Sequence, residues 1–477
     1  MSRPGVLILV QNLPVPFDRR VWQEACALRD AGYDVSVICP RTAQHPVAHE
    51  VVDGVDVHRY RPVHEAAGLA GYLVEYTVAL LAQSVLAWRV ALSRRIRVVQ
   101  ACNPPDLLFL VALPLVLLLR ARFVFDHHDV SPELLVAKGH GPRSAVVRLA
   151  YLLERLTFGT AVVSIATNGS YRHVAVTRGG MAPRDVFVVR SGPNDAFGGA
   201  EPDPGRKHGR RHLVGYVGVM GVQEGIDHLL EAARIIVADR GRDVTFALAG
   251  SGPETARLRA RAEAMGLAGH VRFLGRIPDD ELVSLLRTAD VCVSPDEVNR
   301  MNDISTMNKI VEYMALGRPI VQFELRDGRA SAGDASLYAS PNDPVSFADA
   351  ICRLLDDAGL RERMGRYGRE RFHRDLAWSH QVPQLLAAYD RALAKAPLDV
   401  GVRRLSWWRR RGPRSAPGRV SPAVPAPRSH AVTAEPVSAE PVRTQPVSAE
   451  PVPAEPVSIE PVPAEPVPAE SAVPEQR

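Results

Sequence analysis

Ser305, Lys309 and Glu312 stand at i, i+4 and i+7 within residues 302–321, which read N-D-I-S-T-M-N-K-I-V-E-Y-M-A-L-G-R-P-I-V. The stretch follows an apolar strand pattern at 289–294 and passes through a polar loop into a helix that Gly317-Arg318-Pro319 closes. That helix sets a hydroxyl, an ammonium and a carboxylate on one face. Ser305 or Thr306 is the expected N-cap, and the free backbone N–H groups beside it suit a phosphate. Lys309 adds a point charge there. One turn deeper, Glu312 can accept hydrogen bonds from a vicinal diol such as a ribose. The set suits a ligand with both groups, as a nucleotide sugar has. A capped surface helix with a Lys/Glu pair at i, i+3 is the competing reading, and spacing alone leaves both open.

The elements needed to position such a site alternate along the chain. Strand patterns at 6–10, 34–39, 97–101, 122–126, 161–166 and 186–189 are separated by helical patterns such as 19–31 and 107–119. After a polar, Gly-rich break at 197–211 a second series follows, at 212–217, 244–249, 271–274, 289–294 and 319–323. The alternation predicts α/β architecture with two doubly wound, Rossmann-like domains facing across a cleft. Ligands of such sheets bind outside the carboxyl ends of the strands, so the loops there are the places to look for chemistry. His128 and Asp129 follow the 122–126 strand, and the residues alone also allow a structural His pair that starts the next helix. Asp18 and Arg19 end the loop after the first strand. They are read either as contacts to an acceptor or a donor phosphate, or, for Asp18, as a plain N-cap.

Several stretches together resemble the GT-B glycosyltransferases of glycosyltransferase family 4, in the branch that assembles bacterial surface polysaccharides. They are Pro16-Phe17-Asp18-Arg19-Arg20-Val21-Trp22, Ala101-Cys102-Asn103-Pro104-Pro105-Asp106, Asp126-His127-His128-Asp129, Gly250-Ser251-Gly252-Pro253-Glu254 and 309–321. The resemblance covers about 5–396 and implies a GT-B fold and a retaining hexosyl or N-acetylhexosaminyl transferase. Such an enzyme moves a sugar from a nucleoside diphosphate sugar to a lipid-linked or saccharide acceptor. It places Glu312 on the donor ribose and His128 against the donor sugar, with Asp129 orienting it or meeting positive charge at the anomeric carbon. The family's first glutamate falls at Ile304, so Asp303 and Ser305 are the candidates to replace it. In the loop 218–225 the family's arginine and lysine positions hold Val219 and Glu224. The diphosphate is then left to Lys309, the N–H groups near Ser305 and Thr306, and the loop backbone at Gly218 and Gly221. Arg276 is a further donor candidate near the expected base site. No metal and no cofactor is expected. Two other classes share this site: a GT-B sugar-nucleotide epimerase, and a catalytically silent nucleotide-sugar-binding partner suggested by the lost cations and first glutamate.

The expected domains are 1–196 on the acceptor side, 212–375 for the nucleotide sugar, and a helix at 376–396 packing back on the first domain. A basic Trp/Arg segment follows at 397–416, and then a disordered Pro/Glu/Val-rich tail at 417–477, where proline recurs every five residues from Pro436 to Pro466. The net charge of +5 is uneven: the tail holds eight Glu and four Arg, leaving +9 on residues 1–416. Six arginines at 403–414 flank Trp407 and Trp408, a composition suited to peripheral contact with an anionic membrane. No recognised nucleic-acid fold accompanies them, so nucleic acid is not an expected partner. Five scattered cysteines without C-x-x-C spacing and the absence of a signal-peptide pattern point to a cytoplasmic chain, peripheral on the inner face of the plasma membrane. The apolar run 107–119 is too short to span a bilayer. The run 71–92 carries Glu75, Gln83 and Arg89 and reads as a core helix.

Overall fold

The computed structural model describes residues 3–63, 68–193 and 197–396, all within the compact unit Met1–Arg409. The Trp/Arg segment and the proline-rich tail lie outside the described residues. In the first domain the strands are β1 (Gly5–Leu9), β2 (Asp34–Pro40), β3 (His49–Val52), β4 (Val55–Tyr60), β5 (Ile96–Cys102), β6 (Arg122–His127), β7 (Val163–Ala166) and β8 (Val186–Val188). Between them run α1 (Arg19–Asp30), α2 (Gly68–Ser93), α3 (Phe109–Leu119), α4 (Ser131–Ala137), α5 (Ala145–Thr160) and α6 (Gly169–Thr177). The sheet order is β3-β4-β2-β1-β5-β6-β7-β8, parallel except for the β3–β4 hairpin. Every residue of β1 is buried, as expected of a central parallel strand with helices over both faces.

The second domain holds β9 (His212–Val217), β10 (Val244–Ala249), β11 (Val271–Gly275), β12 (Val291–Ser294), β13 (Ile320–Phe323) and β14 (Ser336–Ala339). Its sheet is fully parallel, ordered β11-β10-β9-β12-β13-β14. The helices are α7 (Ile226–Arg234), α8 (Thr255–Ala264), α9 (Asp279–Thr288), α10 (Arg300–Ile304), α11 (Asn308–Ala315), α12 (Arg326–Ala332), α13 (Pro344–Asp356) and α14 (Ala358–Arg371), and α15 (Trp378–Ala394) leaves the domain. Helix α15 lies against α1 and the strands β5 to β8, burying Trp378, Leu385, Ala388 and Tyr389 in the core of the first domain. The chain therefore crosses between the domains twice, and Gly192 on the first crossing lies beside Leu376 on the second.

Two pieces of sheet go beyond the strand patterns read from the sequence. β3 mixes His and Glu with valine because it is the exposed edge, the Asp, His and Arg of the buried β4 are held in ion pairs, and β14 is only four residues long. Both lack the apolar run that marks a central strand.

The loops above the second sheet pack backbone on backbone. Gly250 has φ +126°, and a Cβ placed on it would lie 1.9 Å from the Gly218 carbonyl oxygen. Gly32 also has positive φ, at +90°, but nothing lies within 4 Å of its would-be Cβ. Gly32→Ala should therefore cost only the left-handed backbone, about 1–2 kcal/mol. Gly250→Ala should cost about 2 kcal/mol or more beyond that, because two loops must move apart. Urea unfolding of the two variants measures the difference, and equal losses would contradict the close approach.

Candidate functional site

The two sheets face each other across a cleft of about 560 Å³ lined from both domains, by Arg19, Arg20 and Ser191 on one side and Asp279, Asn308 and Glu312 on the other. Glu312, on α11, is its central carboxylate from the second domain, 16 % exposed. Burial raises its pKa, and Arg19 across the cleft opposes that rise only in part. The Arg19 guanidinium sits 3.4 Å from Glu312 and 2.5 Å from the exposed carboxylate of Asp279, and is itself half exposed. It is a cation at the mouth of the cleft, shared between the exposed Asp279 and the largely buried Glu312. Phe17, two residues earlier, lies under Arg276 with the guanidinium 4.0 Å from the ring centre, so Arg276 also bridges the domains but does not line the cleft. Asp18 accepts from the Val21 amide at 3.2 Å and is the N-cap of α1.

The stretch around Ser305 differs from its sequence reading. It forms two helices instead of one: Ser305 ends α10, and α11 begins at Asn308 with no side-chain cap from Met307. Ser305 and Thr306 therefore do not cap a phosphate-binding helix end. Their hydroxyls join the domains instead, Ser305 with Tyr171 at 3.0 Å and Thr306 with Asn168 at 2.9 Å and Asp327 at 2.8 Å. Asp303 accepts from the Arg326 amide at 2.9 Å at the start of α12 and does not line the cleft. The side-chain-free helix start lies at Asn308, which does line the cleft.

Lys309 does not stand free for a phosphate either. Only 8 % exposed, it reaches Glu224 and Asp296 at 2.7 Å each, and its ammonium lies 5.1 Å from the centre of the Tyr216 ring. Burial alone would lower its pKa, but Asp296, Tyr216 and Glu224 more than offset that and hold it well above the usual value. The glutamate that stands where the family resemblance expects a loop lysine thus has a lysine as its partner. Gly218 lies beside this group, with a would-be Cβ 3.4 Å from Lys309 Cε, and Gly221 would meet Gln223. Neither glycine lines the cleft.

His128 sits under the first-domain wall in a buried polar cluster that the sequence reading did not identify. Its Nε2 lies 2.6 Å from Asp126 Oδ2 and 2.9 Å from Arg20 Nε. One ring nitrogen cannot donate to the first and accept from the second, and the shorter contact, to the carboxylate, selects Nε2–H donating to Asp126. Arg20 also donates to Asp126 at 2.9 Å, to the Val189 carbonyl at 2.8 Å and to Ser191 at 3.1 Å, and pairs with Glu24 at 3.1 Å. Gln100 donates to Glu24 at 2.6 Å and to Asp126 at 3.2 Å, and the Tyr389 hydroxyl from α15 donates to Gln100. Burial disfavours charge on all of these groups. Arg20 and His128 nonetheless keep Asp126 ionised, well below the usual carboxylate range, while burial and the neighbouring Asp126 push Glu24 up to about 8. Asp126 in turn raises His128 above its ordinary value against the effect of burial.

Asp129 reaches its place through backbone bonds: the Asn103 side chain accepts from the amides of His128 and Asp129 at 2.7 and 3.1 Å and donates to the Asp129 carbonyl at 2.6 Å. Burial raises its carboxyl. His127, by contrast, is packed among Phe125, Phe158 and Tyr171, and burial lowers it to about 3, so it is a neutral core residue. Among the described residues two groups bring three metal-ligand side chains together, His49–Asp56–His58 on the edge hairpin and Cys102–Asp126–His128. In each the carboxylate already meets an arginine, Arg94 or Arg20.

Two measurements check these assignments. Lys309→Met leaves Glu224 and Asp296 without their cation and should cost about 3–5 kcal/mol in urea unfolding; a loss below 1 kcal/mol would show that the pair does not depend on it. Glu24 has its folded-state pKa above its unfolded one, so the folded chain holds the extra proton and stability falls as pH rises from about 4.5 toward 8. Glu24→Gln should flatten that decline between pH 5 and 8, and an unchanged slope would remove Glu24 as its source.

Residues 18–192 match the model of the glycosyl transferase 4-like domain, and residues 211–357 match that of glycosyl transferases group 1. Relatives include a 2-deoxystreptamine glucosyltransferase of Streptomyces kanamyceticus, 29 % identical over 185 residues, which are 38 % of this chain and 46 % of that protein. Another is a phosphatidyl-myo-inositol mannosyltransferase of Mycolicibacterium smegmatis, 33 % identical over 170 residues, 35 % of this chain and 42 % of that one. The matched part thus spans less than half the length of either relative. The fold is that of Anabaena HepE, solved with UDP-glucose, at a TM-score of 0.61 and 15 % identity over 81 % of this chain and 99 % of that one. With a glycosyl transferase 4-like domain and a group 1 domain forming the two halves of one cleft, the chain belongs to the GT-B glycosyltransferases.

Proposed function

We propose that the chain transfers a hexose or N-acetylhexosamine from a nucleoside diphosphate sugar to a hydroxyl of a lipid-linked saccharide, with retention of anomeric configuration. The observation that carries this reading is Glu312, a cleft carboxylate on α11 one turn beyond an open helix start, with Arg19 3.4 Å away across the gap. In this reading Glu312 accepts from the ribose hydroxyls. The amides at the start of α11, from Asn308 onward, and Arg19 meet the diphosphate. Arg19 replaces Lys309 in that role because its own guanidinium is half exposed and one of its partners, Asp279, is open to water, whereas Lys309 is only 8 % exposed and paired on two sides.

In the step itself the bond from the anomeric carbon to the phosphate oxygen breaks and that carbon bonds the acceptor oxygen. The acceptor proton passes to the departing phosphate. His128, held by Asp126, offers Nδ1 toward a sugar hydroxyl, and Asp129 supplies negative charge near the anomeric carbon. No divalent ion is assigned a part, so chelation should leave turnover unchanged. The names of the relatives support sugar transfer, and the phosphatidyl-inositol relative supports a lipid acceptor. We place the work at the cytoplasmic face of the plasma membrane, in surface polysaccharide or glycolipid synthesis.

Two observations favour a second reading, a nucleotide-sugar-binding partner without turnover: Lys309 is already neutralised, and Ile304 stands where the family resemblance expects the first glutamate. Glu312→Ala should lower turnover at least about 100-fold with an unchanged melting temperature. Arg19→Ala should weaken nucleoside diphosphate binding about tenfold, ~1.4 kcal/mol, while leaving the nucleoside unaffected. Undiminished turnover in the first variant, or equal losses for nucleoside and diphosphate in the second, would contradict the site.

A further inference from the structure

Large apolar side chains exposed to solvent are not spread evenly over the molecule. Val74, Leu81, Val85 and Leu92 on α2, Leu110 and Leu117 to Leu119 on α3, and Val146, Leu149 and Leu152 on α5 are all exposed. The second domain exposes only Val219, Val222 and Val345 among the described residues. On α2 the exposed set follows a spacing of seven, four and seven residues and falls on one line. Ala79, Gln83, Ala87 and Val90 fall on the opposite line and are buried. Helix α2 packs on α3, and α3 on α5, so the three form one layer over the first sheet. Its outer surface is a single apolar field, far more than the scattered exposed residues of an ordinary surface.

The charges on this layer have one sign. Arg89 on α2, Arg120 at the end of α3, Arg148 on α5, and Lys138 and Arg143 before α5 are exposed. The acids carried by these three helices are Glu75, which is partly covered, and Glu154, which is buried. A stretch of α2, Val74–Ser93, is long and apolar enough to cross a bilayer. Its inner face, however, carries Gln83 and is spent on the sheet and on α3, so α2 lies along a surface and does not traverse it.

We propose that the outer face of α2, α3 and α5 rests on an anionic bilayer, its leucines and valines in the headgroup boundary and its arginines on lipid phosphates. This gives the membrane contact a place in the folded part of the chain, distinct from the arginines and tryptophans at 403–414. It deepens the proposed function, resting on that reading for the acceptor. Glu154 of α5 accepts from Arg178 at 2.7 Å, and Arg178 holds Glu133 at 2.6 Å. Arg300 of the second domain stands 3.7 Å from the same Glu133. One chain of ion pairs thus leads from the apolar layer to α10 of the second domain.

The test is co-sedimentation of the full chain with vesicles of phosphatidylglycerol and phosphatidylcholine in about equal parts, against phosphatidylcholine alone. Leu81→Glu/Val85→Glu/Leu149→Glu and Trp407→Ser/Trp408→Ser are compared with the unaltered chain. The expected result is binding to the anionic vesicles only, reduced at least tenfold by the triple variant and less than twofold by the tryptophan variant. Loss with the tryptophan variant alone would overturn the proposal. So would a dimer in sedimentation velocity that the triple variant dissolves while vesicle binding is absent throughout. Circular dichroism and nucleoside diphosphate titration of the triple variant verify its fold and its cleft. Failure to bind vesicles with nucleotide binding intact rejects the membrane face, whereas failure of the unaltered chain to bind nucleotide rejects the functional reading.

Discussion

One buried guanidinium ties the first domain to its cleft. Arg20, in the first turn of α1, is largely buried behind the cleft wall and meets Asp126, Glu24, Ser191 and the Val189 carbonyl. Those partners belong to the end of β6, to α1 itself and to the segment that leads out of the first domain. Two carboxylates share this site out of water, and Glu24 is the one that burial and Asp126 push up, so it holds its proton more tightly than Asp126 does. Asp126 then stays charged, which fixes His128 through Nε2–H.

The same cluster connects the cleft to α15, the last described helix. Gln100 lies between the carboxylates and the Tyr389 hydroxyl on α15. Helix α15 follows the second domain in sequence but packs in the first, so the geometry around His128 depends on both crossings between domains. On the opposite wall the balance of charge is solved differently. Lys309 satisfies Asp296 and Glu224 in a closed group, and the exposed Arg19 is the cation left at the cleft mouth. In the proposed function it is this Arg19, from the other domain, that meets the diphosphate.

Strand alternation made both sheets legible, because buried parallel strands read as apolar runs. The site was legible in part. Glu312 and Arg19 do meet in the cleft, and the resemblance to a known family pointed to both of their segments. The helix start was misplaced because Ser305 and Thr306 look like caps, yet their hydroxyls bind Tyr171 and Asn168 more than 130 residues away in sequence. Lys309 was misread for the same reason: its partners Glu224 and Asp296 come from two other loops, and periodicity along one helix says nothing of them. Arg20, Glu24 and Gln100 went unnoticed since each looks ordinary in its own element, although Arg20 beside Arg19 at the start of a helix, with Glu24 four residues on, was a visible pair.

The account's central claim is that one nucleoside diphosphate binds between α1 and α11. Amide hydrogen exchange of the full chain with and without UDP, GDP or dTDP tests it most directly. One of the three should slow exchange in peptides covering 17–24 and 308–312 together, with the other two leaving both unchanged. Protection confined to other segments, or none with any of the three, would contradict the claim.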